Sequence, residues 1–212
     1  PMHVDFWFDP ACPFSWMTSR WIVTVVPERD MDVTWRPLSL LMKNDPSEDD
    51  DKRPLFERTH RMLRVVDAVD RSGHGERIGD LYTELGRRIH HDDSDDIDLR
   101  AVLDQMGLPP DLAAAVDDES HDGALRRSVD EALGLVGDEV GTPIMALATD
   151  DGRVGMFGPV ITELPDADQA LALWDGFVAM ATTPGFYELK RTRSEKPDVT
   201  TIAPDLTHEP IT

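Results

Sequence analysis

The 212-residue sequence holds one cysteine, Cys12. An intramolecular disulfide is therefore excluded, and so is a structural zinc site that needs several thiolates. Basic residues are also scarce. Lys and Arg number 21 against 42 Asp and Glu, a formal net charge of −21. So acidic a surface repels phosphate backbones and anionic headgroups, which argues against nucleic acid or a membrane surface as the main partner. No apolar run reaches the roughly 18 residues that a membrane-spanning helix needs. The opening Pro1-Met2-His3-Val4-Asp5-Phe6 lacks both a basic stretch and a long apolar one. No secretory signal is expected from it, and the expected address is the cytoplasm. What remains, 40% hydrophobic and 30% charged, is enough to bury a real core.

The periodicities give an element order. Residues 3–8 alternate, with Val4, Phe6 and Phe8 on one face, and predict a strand. Asp9-Pro10-Ala11 breaks it. Pro13 stands where a first helical turn accepts proline, and Trp21, Ile22, Val25 and Val26 continue at helical spacing, which predicts a helix from residue 13 to about 29. Residues 31–38 predict a second strand, and the charged stretch 44–54 a loop. From Arg53 to Gly137 the patterns are helical. Ile78, Leu81, Tyr82, Leu85 and Ile89 share a face, as do Leu125, Val129, Leu133 and Val136. Between them Asp96 is expected to cap a helix running through Met106. Strands return at Ile144–Ala148 and Val154–Phe157 around the hairpin signal Asp150-Asp151-Gly152. A last helix is expected over Asp166–Ala181, followed by a surface-hugging tail. The order β-α-β, helices, β-β-α predicts an α/β fold. One sheet is shared by residues 1–45 and 138–212, and a helical domain, 46–137, is inserted between its halves and sits over one end as a lid.

One motif carries chemistry. Cys12-Pro13-Phe14-Ser15 follows a strand and opens a helix. Backbone N–H groups and the dipole at a helix start stabilise an anion, so the thiol is expected to be acidified and reactive, with the Ser15 hydroxyl available to hydrogen-bond it. A lone cysteine is more often an inert buried side chain, but the strand-Cys-Pro-helix context favours the reactive reading. Phe14 and Trp16 would shape an apolar pocket beside it. Gly141-Thr142-Pro143 precedes a strand. Its proline is either an ordinary trans residue or a cis one that presses the Thr142 backbone toward the partner of the thiol. The run His90-His91-Asp92-Asp93-Ser94-Asp95-Asp96 has ligand-type residues without a calcium-loop spacing and reads as a solvated acidic turn, so no metal is expected. Lys190, Arg191 and Arg193 form a basic island expected to pair with nearby carboxylates.

These residues also carry a resemblance. Phe6-Trp7-Phe8-Asp9-Pro10-x-Cys12-Pro13 with Val140-Gly141-Thr142-Pro143 resembles the DsbA-like branch of the thioredoxin superfamily. Thr18-Ser19-Arg20-Trp21, Arg88-Ile89-His90, Phe157-Gly158-Pro159-Val160 and Glu188-Leu189-Lys190-Arg191-Thr192-Arg193 look like the mycothiol-dependent nitroreductases of that branch. The resemblance runs from about Asp5 to Pro197. It implies a thioredoxin-like fold interrupted by a helical domain, and a reductase with mycothiol as reducing co-substrate. The other partner would be a disulfide or a small electrophile such as a nitro compound, on a monomer or homodimer.

The family's usual site is Cys-Pro-Trp-Cys. Cys12 matches the attacking cysteine, Phe14 replaces the Trp, and Ser15 replaces the resolving cysteine, which leaves monothiol chemistry. Pro13, Phe14, Thr142 and Pro143 would line the thiol groove. Asn44 and His90 match residues facing the substrate cleft, and Phe56 is a candidate pocket aromatic. Cys-Pro-Phe-Ser also lies between this pattern and the Ser-Pro-Tyr-Ser-like motif of kappa-class glutathione transferases, which activate a bound thiol without a covalent adduct. A binding protein that has lost the second cysteine is the third reading.

Overall fold

The computed structural model describes residues 1–208. The elements are β1 (Met2–Phe8), α1 (Pro13–Val25), β2 (Met31–Pro37), α2 (Leu40–Asn44), α3 (Arg53–Val69), α4 (Ile78–His90), α5 (Leu99–Gln105), α6 (Asp122–Val136), β3 (Ile144–Thr149), β4 (Gly152–Phe157), α7 (Ala167–Ala181) and α8 (Asp205–His208). The strands lie in the order β2-β1-β3-β4. β1 runs parallel to β2, with Phe6 opposite Trp35, and antiparallel to β3, with Phe6 opposite Met145. Strands from either side of the long helical segment thus close one sheet. The fold is a thioredoxin-like α/β fold with helices inserted between β2 and β3. Among the described residues no helix is long and apolar enough to cross a membrane.

β1 is central and buried on both faces, which is why it holds more than the alternating apolar set. Val4, Phe6 and Phe8 join a cluster with Trp21 of α1, Leu63 of α3, Tyr82 of α4 and Trp174 of α7. Trp7 points into a second cluster with Leu38, Leu40, Phe56, Val129 and Cys12. The inserted helices therefore share core with the sheet. Asp5 sits in this central strand at 2% exposure. Its charge is compensated by Arg36 at 2.5 Å and Arg153 at 3.4 Å, whose guanidinium groups also lie over the Trp7 ring.

Two boundaries differ from the sequence reading. α1 ends at Val25 and tightens into a 3₁₀ turn over Val26–Glu28, because Pro27 lacks an N–H and its ring opposes the carbonyl one turn back. Asp98, not Asp96, caps α5, its carboxylate accepting the Ala101 N–H at 3.0 Å. In a run of closely spaced aspartates only backbone direction selects the cap.

Candidate active site

Cys12 is the N-cap of α1, with extended backbone (φ −84°, ψ 112°), and Pro13 fills the first helical position. The Cys12 carbonyl takes the first helical hydrogen bond, from Trp16 N at 3.1 Å, while Sγ accepts from Ser15 N at 3.4 Å. The sulfur thus occupies the place of a capping oxygen. From the far side Sγ donates to the Thr142 carbonyl at 3.4 Å. The sheet register makes this contact. Trp7 pairs with Ile144, so the chain entering β3 lies beside the chain leaving β1. The Thr142–Pro143 peptide is cis.

Cys12 is 9% exposed. Burial pushes its thiol above the usual range, against the Thr142 contact and the N–H groups of Ser15 and Phe14, and the neighbouring Asp9 adds to the rise. The expectation of an acidified thiol is therefore corrected for the protein without a bound partner. The helix start does favour the thiolate, but removing the sulfur from water costs more.

Asp9 is the residue the sequence reading passed over as a strand breaker. It is fully buried, and its carboxylate accepts from Ala11 N at 2.9 Å and Leu40 N at 2.8 Å. It ties the Cys12 loop to the start of α2. Burial raises its pKa to about 6, despite those two N–H donors and the Thr59 hydroxyl. Ser15 Oγ and Thr142 Oγ1 are buried without a hydrogen-bond partner, and both residues touch the sulfur through their backbones.

The inserted helices reach the thiol loop through Trp16. His90 Nε2 donates to the Pro10 carbonyl at 2.8 Å, and its ring stacks on Trp16 at 5.9 Å. Burial holds His90 down at about 4, so it is neutral at pH 7. Trp16 Nε1 donates to His91 Nε2 at 3.0 Å. Arg20, fully buried, lies over the Trp16 ring at 4.3 Å and donates to Thr83 Oγ1 and the Leu206 carbonyl, pinning α8 to α1 and α4. Thr18 Oγ1 donates to the Pro159 carbonyl at 2.7 Å, fixing the loop after β4.

Gly86 makes the close approach of α4 possible, since a Cβ there would lie 2.3 Å from two Trp16 ring carbons. The ring is rigid and fully buried, so Gly86→Ala is expected to destabilise the fold by about 1–3 kcal/mol. Denaturant titration measures the loss. Tryptophan fluorescence should shift with it, because α4 must move off the indole.

Residues 11–191 match the family described as Rv2466c-like, mycothiol-dependent nitroreductase Rv2466c. The chain belongs to that family. It is 31% identical over 212 residues to the Mycobacterium tuberculosis protein named "Uncharacterized protein Rv2286c", covering 96% of this chain and 87% of that one. Among solved structures it is similar to the cytosolic disulfide reductase DsbM from Pseudomonas aeruginosa, with a TM-score of 0.55, 14% identity, and 84% of this chain and 100% of that one covered. It is also similar to the oxidoreductase DsbA from Xylella fastidiosa, with a TM-score of 0.50, 20% identity and 84% of each chain covered. Membership places the chain among thiol-dependent oxidoreductases.

In this family member Cys12, Pro13, Phe14, Ser15, Thr142 and Pro143 come together with the His90 backbone contact at Pro10. Phe56 packs in the same cluster as Cys12. Asn44 is placed at the exposed end of α2, where its Oδ1 accepts from Lys43 Nζ at 3.2 Å. It shares no hydrogen bond with the thiol motif among the described residues. The basic island behaves differently from the sequence expectation. Lys190, Arg191 and Arg193 form no ion pair among the described residues; instead the Arg193 guanidinium lies 4.4 Å from the centre of the Phe14 ring. That one contact joins the segment after α7 to the Cys12 motif, a long-range placement with no local signal.

A serine–histidine–aspartate chain lies nearby and has a structural role. Ser39 Oγ is 2.9 Å from His60 Nδ1, and His60 Nε2 is 3.2 Å from Asp122. Ser39 is fully buried and its oxygen caps α2 by accepting from Met42 N at 3.2 Å, while Arg64 holds Asp122 with two hydrogen bonds. The chain joins α2, α3 and α6, and offers no accessible nucleophile. No group of three or more His, Cys, Asp or Glu side chains able to hold a metal ion occurs among the described residues.

Proposed function

We propose that this protein is a monothiol reductase that uses mycothiol as its electron source and Cys12 as its nucleophile, in the cytoplasm. The observation that carries the reading is the single thiol at the N-cap of α1, between Ser15 N and the Thr142 carbonyl at 3.4 Å each. With Ser15 in place of a second thiol, a mixed disulfide on Cys12 has no internal route of release. For a disulfide substrate, the Cys12 thiolate attacks one sulfur. The new S–S bond forms as the old one breaks, and the leaving thiolate takes up a proton. A mycothiol thiolate then attacks the mixed disulfide, returns Cys12 and leaves as a disulfide with the captured group. For a nitro compound, Cys12 and one mycothiol together supply two electrons and two protons. The products are the nitroso compound, water and a Cys12–mycothiol disulfide, which a second mycothiol releases as mycothiol disulfide.

His90, neutral and bonded to Pro10, holds the loop and carries no charge to the site.

The test is the intact mass of the reduced protein after brief exposure to mycothiol disulfide, with glutathione disulfide in parallel, at pH 6 and pH 8. A single mycothiol adduct is expected, forming faster at pH 8 because burial keeps the thiol protonated at lower pH. No adduct at either pH overturns the covalent mechanism and leaves thiol activation without an adduct, or binding alone.

A further inference from the structure

We infer that Arg193 and Phe14 form an anion subsite at the rim of the thiol, so that Cys12 reacts preferentially with small disulfides or electrophiles that carry a carboxylate near the reacting atom. The inference rests on the reactive thiol proposed above and names the class of substrate that thiol takes.

Three observations carry it. The Arg193 guanidinium lies 4.4 Å from the Phe14 ring centre, and Phe14 is the third residue of the Cys12 motif. An aromatic face holds a guanidinium in place without neutralising it, leaving its N–H groups for an anion. In a protein of net charge −21 each arginine from Arg29 to Arg100 is ion-paired, whereas the exposed Arg193, like Arg20, Arg126, Arg127 and Arg191, has no carboxylate partner among the described residues. Finally, the strap bearing it has no helix or strand from Pro184 to Pro197 but is anchored just beyond, where Asp198 N donates to the Thr162 carbonyl at 2.7 Å and the Asp198 carboxylate caps the turn that follows. Arg193 is therefore held close to the motif by a short tether and a ring contact.

The physical logic concerns approach. A surface of net charge −21 slows every anion that comes near it. A cation on the ring of Phe14, two residues along the chain from Cys12, reverses that locally. Charge-assisted hydrogen bonds to a carboxylate would hold the substrate with its reactive sulfur over Cys12. In the reaction, the Cys12 sulfur bonds to one sulfur of the bound disulfide, the original S–S bond breaks, and the second half departs as a thiolate.

The experiment compares three disulfides of different charge on the reduced, full-length protein: the dianionic 5,5′-dithiobis(2-nitrobenzoate), the neutral 2,2′-dithiodipyridine and the dicationic cystamine. Rates of modification are followed for the unaltered protein, Arg193→Ala, Arg193→Lys and Arg191→Ala. The expected result is a loss of about tenfold for the dianionic reagent in Arg193→Ala, with the neutral reagent unchanged within about twofold. Arg193→Lys should recover part of the loss, since it keeps the charge but not the planar fork. Arg191→Ala removes the same charge from the same strap and should leave the selectivity in place. Equal slowing of all three reagents in Arg193→Ala, no slowing of any, or an equal loss of selectivity in Arg191→Ala overturns the subsite. A Cys12 inert to all three reagents in the unaltered protein overturns the reactive-thiol reading and the subsite together, whereas a reactive Cys12 without charge selectivity overturns the subsite alone.

Discussion

Replacing Cys12 with serine is expected to abolish adduct formation and to lower thiol-dependent turnover by about 1000-fold or more. No other thiol in the chain can stand in for it. The fold should survive the change. Serine is a preferred N-cap, and its oxygen can accept from Ser15 N where Sγ does now. A melting temperature near that of the unaltered protein would show that the loss is chemical. Turnover that persists in Cys12→Ser would place the chemistry on a bound thiol and not on the chain's own sulfur. The complementary change is Ser15→Cys. It adds a thiol one helical turn from Cys12, so a mixed disulfide on Cys12 should resolve internally. The captured group then leaves as a free thiol, and the protein ends two hydrogens lighter by intact mass.

The stability of the unaltered protein relative to Asp9→Asn is expected to fall by about 2.4 kcal/mol between pH 4 and pH 7. This follows from a rise from 3.8 to about 6 in the Asp9 pKa, at about 1.4 kcal/mol per pH unit. The folded pKa is raised, so the folded state binds the proton more tightly than the unfolded chain. The contribution is fully present below the unfolded pKa and is lost as pH rises through about 6. The difference between the two proteins isolates Asp9, because carboxylates such as Glu84 and Asp122 have depressed pKa values and stabilise in the opposite sense in both. Asparagine keeps one acceptor for two N–H donors, Ala11 N and Leu40 N, so the variant also loses a hydrogen bond at all pH values. That offset does not change the slope. Denaturant titration across the range measures it, and a flat difference would mean that the Asp9 carboxylate is solvated. The same variant should react faster at Cys12 at pH 8, because the Asp9 charge opposes the thiolate.

Much of the fold follows from short-range signals. Alternation marks β1, Pro13 fixes the start of α1, Asp166 caps α7 through Gln169 N, and Asp150-Asp151 turns β3 into β4. Each depends on residues within about one turn or one hairpin, so each is readable in the sequence. The boundaries that moved, at Pro27 and Asp98, are those where neighbouring signals compete and the backbone path decides.

The site divides in the same way. Cys12, Pro13 and Ser15 form one local motif, and the sequence by itself determined that a lone thiol heads a helix with no second thiol to resolve it. Tertiary structure alone decided what surrounds that thiol. Register brings in Thr142, the inserted α4 brings in His90, and the strap brings in Arg193. It also decided the protonation of Cys12 and Asp9. Burial is the sum of every element packed over a group, and here it outweighs the local hydrogen bonds that sequence can foresee.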